Sequence, residues 1–252
     1  MEAREALLAR VSTADGATEI KDPATGEVIG RHTFGTPEDV KKAVDKAAAA
    51  QPAWAALTDE QRVAYLNRAA DNIETHAEEL AYAIVREQGK TISGIGARYE
   101  VEGCVGWLRA TAATPLPKEV VVDDGTNYAE LHYRPIGVVG AITPWNWPLI
   151  IATWQIAPSL RMGNTVVQKP SEYTTLCALA LVEVLNEVLP DGVLVPVTGM
   201  GDVGDALVRD KRIGKVMFTG SVKTGMKVVQ ASAGNLSRLT QIGRASCRER
   251  VW

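Results

Sequence analysis

The pentapeptide Pro144-Trp145-Asn146-Trp147-Pro148 is the segment of this chain most clearly shaped for chemistry. Two prolines hold the backbone on a fixed, non-helical path directly after an apolar run, so the amide of Asn146 can be aimed into a cleft. An aimed amide donor is what a developing oxyanion needs, although a buried turn accounts for the same residues equally well. Lys169-Pro170-Ser171-Glu172 follows a second apolar run and precedes a helical one. In an open parallel sheet ligands sit beyond the carboxyl ends of the strands, where a carboxylate can accept two hydrogen bonds from a ribose diol and repel a 2′-phosphate. From the residues alone, a solvated surface pair is the plainer account of Lys169 and Glu172. Phe218-Thr219-Gly220-Ser221 ends another apolar run, with Gly225 a turn later. The helix that follows offers free N–H groups and a positive dipole end to a phosphate; Ser221 as a simple N-cap is the alternative.

Gly199-Met200-Gly201-Asp202-Val203-Gly204 matches the dinucleotide pattern G-x-G-x-x-G. That fingerprint also needs an acidic residue about 20 positions on, and none occurs between Lys211 and Thr240. Tight strand-to-helix packing explains these glycines as well as a ligand does. The three cysteines, Cys104, Cys177 and Cys247, are too few and too scattered for a disulfide framework or a zinc site, which points to a reducing cytoplasm. Cys104 and Cys177 fall in apolar helical runs and read as packing. Cys247 has arginine neighbours that can lower a thiol pKa, yet it reads as an incidental thiol.

These residues need a scaffold, and the spacing of apolar positions supplies one. Asp22 to Gly30 reads as a hairpin turned at Thr25-Gly26, and Thr36-Pro37-Glu38-Asp39 opens a helix running to about Gln51. Thr58 and Gln61 form a capping box. Val63, Leu66, Ala70, Ile73, Ala77, Leu80 and Ile84 then predict one long amphipathic helix, and another should cover roughly Ser93 to Thr111. Glu119 to Asp123 and Leu131 to Arg134 flank a turn at Gly125, which suggests a long hairpin arm. From Ile136 onward strand and helix alternate at short intervals, with strands expected over 137–142, 165–168, 193–197, 215–218 and 236–240. That alternation argues for an α/β, Rossmann-like parallel sheet with helices on both faces, preceded by a helical N-terminal segment and the hairpin arm.

The chain has 252 residues, 46% hydrophobic and 23% charged, with a net charge of −3 and its basic residues scattered. This is ordinary for a soluble globular protein and gives no reason to expect a nucleic-acid or membrane-surface partner. No signal peptide or stretch of about 18 consecutive apolar residues is present, so a cytoplasmic location is expected.

Taken together, the motifs resemble the aldehyde dehydrogenase superfamily. The matching pieces are DPATGEVI at Asp22 to Ile29, Glu87-Gln88-Gly89-Lys90, GVVGAITPWNWPL at Gly137 to Leu149, APSLRMGNTVVQKPSE at Ala157 to Glu172, and FTGS at Phe218 to Ser221. The resemblance implies that residues 1–240 form an NAD-binding domain. Asn146 would be the oxyanion donor, Lys169 and Glu172 would hold the adenosine ribose, and Glu172 would favour NAD over NADP. Gly220, Ser221 and the helix terminus after them would take the pyrophosphate, Trp145 would line the cleft, and Gly201 would let the adenine approach. The arm at about 115–135 would be an oligomerisation element, implying a homo-oligomeric parent, dimer or tetramer.

The family's chemistry runs through a cysteine thiolate that attacks the aldehyde and a glutamate that activates water. After Thr240 the resemblance stops: Ile242 stands where the family places that glutamate, and the context of Cys247 does not match the nucleophile's motif. Residues 241–252, with three arginines and one glutamate, read as a tail foreign to the family, the sheet as truncated in its fifth strand, and the catalytic domain as absent. Two functions follow: the cofactor-binding part of an NAD-dependent enzyme that oxidises an aldehyde to a carboxylic acid, or a catalytically silent dinucleotide-binding or interaction fragment.

Overall fold

The computed structural model describes residues 3–13, 17–116 and 119–243. After a single 3-10 turn, α1 (Ala6–Val11) leads into the hairpin β1 (Thr18–Lys21) and β2 (Val28–His32). The hairpin turns where the sequence places it, with the Asp22 carboxylate accepting from the N–H of Ala24 at 2.8 Å and bridged to Arg86. Three further helices follow α2 (Pro37–Ala55), namely α3 (Asp59–Thr75), α4 (Ala77–Gln88) and α5 (Ala97–Ala113). The arm is a second hairpin, β3 (Glu119–Asp123) with β4 (Tyr128–Leu131). The remainder alternates as β5 (Val138–Ile142), α6 (Pro148–Arg161), β6 (Thr165–Lys169), α7 (Thr175–Asn186), β7 (Leu194–Pro196), α8 (Gly201–Arg209), β8 (Ile213–Gly220), α9 (Val222–Ser232) and β9 (Arg238–Gly243).

The last five strands form one parallel sheet in the order β7-β6-β5-β8-β9. The chain enters at the middle, moves outward through β6 and β7, then returns to lay β8 on the other side of β5. The strand order therefore reverses between β5 and β8, the place where open parallel sheets leave a crevice. Alternate side chains of the central strands feed two cores: Val139, Ala141 and Val166 join the one built with α3 to α7, whereas Val138 and Val167 join the one built with α2, α8 and α9. A sheet covered on both faces explains why its strands are continuously apolar.

Three expectations need correction. The long helix over Val63–Ile84 is two helices, because His76 (φ −100°, ψ 16°) leaves the helical region and its ring is held between Glu79 at 3.1 Å and Glu187 at 3.3 Å. The apolar spacing runs across the break, since Ile73 and Leu80 enter the same core. The helix expected from Ser93 begins only at Ala97, because the segment before it closes a turn in which the Ala97 N–H reaches the Thr91 carbonyl at 2.8 Å. The fifth strand starts at Arg238 and continues through Gly243, pairing with β8 as far as Gly220. Leu236 lies outside it with φ 53°, in a turn that Asn235 fixes by donating to the carbonyls of Val208 and Asp210. Residues 244–252, including Cys247, lie outside the described residues.

Candidate cofactor and oxyanion site

At the carboxyl ends of β5, β6 and β8 lies a cavity of about 600 Å3, a size ordinary for a cofactor site. Trp145, Lys169, Glu172, Gly201, Gly220 and Ser221 all line it. These six come from four separate stretches of sequence, and the reversal of strand order brings them together. Asn146 is not in its wall; it is half-buried one residue beyond Trp145.

The cavity's floor is fixed by hydrogen bonds between strand ends. The N–H of Thr143 donates to the Lys169 carbonyl at 3.1 Å, tying β5 to β6. The amide of Gln168 donates to Thr143 Oγ1 at 3.1 Å, and that of Gln155 to Thr219 Oγ1 at 3.3 Å. Lys169 is buried, with its Nζ donating to the carbonyl of Pro170 at 3.0 Å. Burial pushes the Lys169 ammonium below the usual lysine range, while the nearby carboxylates of Glu172 and Asp202 act in the opposite sense.

The phosphate-sized corner is built from α9. Ser221 is its N-cap: the Oγ accepts from the N–H of Thr224 at 3.2 Å, and the first-turn N–H groups of a helix have no carbonyl partner within it. Gly220 is needed for packing, since a Cβ there would stand 2.6 Å from Cζ of Phe218. Gly201, at the start of α8, is different: a Cβ built on it meets nothing within 4 Å, so its face opens onto the cavity. A buried cation, an acceptor carboxylate, a helix N-terminus and an open glycine face fit the parts of a dinucleotide.

Asn146 sits in the turn between β5 and α6, and that turn is clamped from outside the sheet. Lys90 Nζ donates to the Asn146 carbonyl at 2.9 Å and pairs with Glu100 at 2.6 Å, while the Gln88 amide donates to the Trp145 carbonyl. The sequence offered a signal for these supports, because Gln88 and Lys90 lie in one of its matching motifs; Glu100 carried none. Tyr173, Asp205, Thr224 and Lys227 also line the cavity and were not foreseen.

Of the cysteines, Cys104 and Cys177 are completely buried, as expected, and burial pushes both thiols well above the usual cysteine range. Ile242 occupies β9 beside Thr219 of β8. Among the described residues no group of acidic, histidine or cysteine side chains has the arrangement of a metal site, and no helix is long and apolar enough to cross a membrane.

The family model described as the aldehyde dehydrogenase family matches residues 11–241. The chain belongs to the aldehyde dehydrogenase family. It is 39% identical over 221 residues to the fluoroacetaldehyde dehydrogenase of Streptantibioticus cattleyicolor, covering 86% of this chain and 43% of that protein. It is also 39% identical over 244 residues to the phenylacetaldehyde dehydrogenase of Pseudomonas fluorescens, covering 90% and 47%. Among solved structures, the betaine aldehyde dehydrogenase of Staphylococcus aureus in complex with NAD+ superposes with a TM-score of 0.85 at 31% identity, covering 92% of this chain and 47% of that one. The chain thus spans a little under half the length of these aldehyde dehydrogenases.

Proposed function

We propose that this chain is the NAD-binding portion of an enzyme that oxidises an aldehyde to a carboxylic acid. The observation that carries the reading is the convergence of Trp145, Lys169, Glu172, Gly201, Gly220 and Ser221 on one cavity at the reversal of strand order. Lys169 and Glu172 hold the adenosine ribose, and Glu172 disfavours a 2′-phosphate by charge. Ser221, Gly220 and the first turn of α9 hold the pyrophosphate, Gly201 gives the adenine room, and Trp145 flanks the cleft. NAD, when bound, supplies the nicotinamide carbon that accepts hydride. The Asn146 amide donates to the oxygen that gains negative charge as the aldehyde carbon is attacked.

The alternative, a chain that is catalytically silent by itself, is favoured by a separate observation: the two described cysteines are buried thiols with no thiolate character. In this reading residues 1–240 are the cofactor domain and residues 241–252 are a tail foreign to the family, of which residues 241–243 nonetheless complete β9. The hairpin arm, at about 115–135, carries Val120, Val121 and Tyr128 exposed, and it serves a parent that assembles as a homo-oligomer.

Titrating NAD and NADP against the tryptophan fluorescence of the chain tests the binding part. Saturable quenching by NAD, with weaker binding of NADP, is expected. No saturable response to either nucleotide overturns it. Incubation with NAD and a panel of aldehydes tests the second part: NADH formation by the purified chain contradicts its silence.

A further inference from the structure

The turn that presents Asn146 is held by side chains from two other helices. Gly89 ends α4 in the left-handed region at φ 72°, which places Gln88 and Lys90 on either side of a sharp bend. From there the Gln88 amide donates to the carbonyl of Trp145, and Lys90 Nζ to the carbonyl of Asn146 at 2.9 Å. Two successive carbonyls of the turn are thereby engaged from one side. The Lys90 ammonium also lies 3.8 Å from the centroid of the Trp147 ring, a cation–π contact on the next residue.

The far end of the turn is engaged by the same ion pair. Glu100, on α5, has a fully buried side chain; one carboxylate oxygen takes Lys90 Nζ at 2.6 Å. The other oxygen accepts from the N–H groups of Leu149 at 2.8 Å and Ile150 at 3.3 Å, the first turn of α6. Burial pushes the Glu100 carboxyl above the usual carboxylate range, while the Lys90 ammonium and the two N–H donors pull it back toward the charged form. Positive charge thus sits on the carbonyl before α6 and negative charge on the N–H groups that begin it.

From this we propose that Lys90, Glu100 and Gln88 are positioning residues that fix the backbone of Trp145–Ile150 and so set the direction of the Asn146 amide. The role rests on the reading of Asn146 as oxyanion donor given above. A buried pair with no ligand of its own is an expensive way to hold one helix end, because each charge must be desolvated. Its geometry is accounted for if the turn must be held to a fraction of an ångström, the tolerance an oxyanion donor requires.

The test is the side-chain NH2 resonance pair of Asn146 in the 15N-labelled full chain, with Asn164, which donates to the Ser159 carbonyl on the far side of α6, as internal reference. Lys90→Met alone strands the Glu100 charge and can unfold the protein. The double variant Lys90→Met/Glu100→Gln removes both charges and keeps an acceptor for the α6 N–H groups. In it the Asn146 pair is expected to shift and broaden while the Asn164 pair stays in place, and Lys90→Arg is expected to return the Asn146 pair toward its wild-type position. An Asn146 pair unchanged in the double variant overturns the proposal. Loss of the Asn164 pair together with that of Asn146 also overturns it, since the ion pair would then hold the whole fold rather than the turn. Titration of wild-type protein with NAD separates this from the functional reading: no NAD binding with the Asn146 response intact defeats the cofactor assignment alone, and NAD binding without that response defeats the clamp alone.

Discussion

Glu172 and Lys169 illustrate how little a residue says before its place in the fold is known. In the sequence they make an ordinary surface pair, but the sheet puts them on the wall of a cavity, with Lys169 buried. Replacing Glu172 with Gln removes a charged acceptor of the ribose. At about 1.5–3 kcal/mol for a hydrogen bond to a charged group, it is expected to weaken NAD roughly 10- to 100-fold and to narrow the preference over NADP, read by fluorescence titration. Lys169 adds a pH dependence. Because burial depresses its pKa, the ammonium loses its proton below the usual lysine range, so NAD affinity should fall with rising pH and do so earlier than an exposed lysine would allow. The linked stability has the opposite sign. In that window the unfolded chain still holds the proton and the folded chain does not, so this group's contribution to stability rises with pH. Affinity that stays flat to pH 10 contradicts a ribose contact from Lys169.

At the scale of elements, the parallel sheet was the most legible part of the sequence, because strands buried on both faces leave short continuous apolar runs separated by helical spacing. The two helix boundaries that differ share a cause: apolar periodicity reports which face is buried, not whether the backbone stays helical. The core stripe crosses His76 unbroken although its backbone does not. Tertiary polar contacts were invisible for a related reason, since their partners lie far apart in sequence. Arg161, at the end of α6, is buried; it pairs with Asp59 at 2.7 Å and donates to the carbonyls of Thr111 and Ala112, pinning α3 and α5 to the sheet layer. Arg161→Met leaves those groups without their donor. It should cost about 2–3 kcal/mol, discounted because Asp59 is partly exposed, and the shift in urea midpoint measures it. Gly89→Ala tests the left-handed end of α4. A loss of about 1 kcal/mol is expected from the positive φ alone, and a stability equal to wild type contradicts the assigned backbone.

For the whole molecule, the matching motifs extend over most of the chain, which is why the family was readable where a lone glycine pattern was not. The cavity itself was not readable, because its lining residues Tyr173, Thr224 and Lys227 have no motif and gain meaning only when α7 and α9 converge on it. The hairpin arm has the same character: every residue of β3 is exposed, an unusual state for a run of three valines. Self-association through this surface is expected, and Val121→Lys should shift sedimentation toward the monomer. The most direct test of the central claim is a crystal structure of the chain grown with NAD. The dinucleotide should lie at the carboxyl edge of the sheet with its adenosine ribose against Glu172 and its pyrophosphate at Ser221. Density for the nucleotide elsewhere, or an empty cavity at saturating NAD, would contradict it.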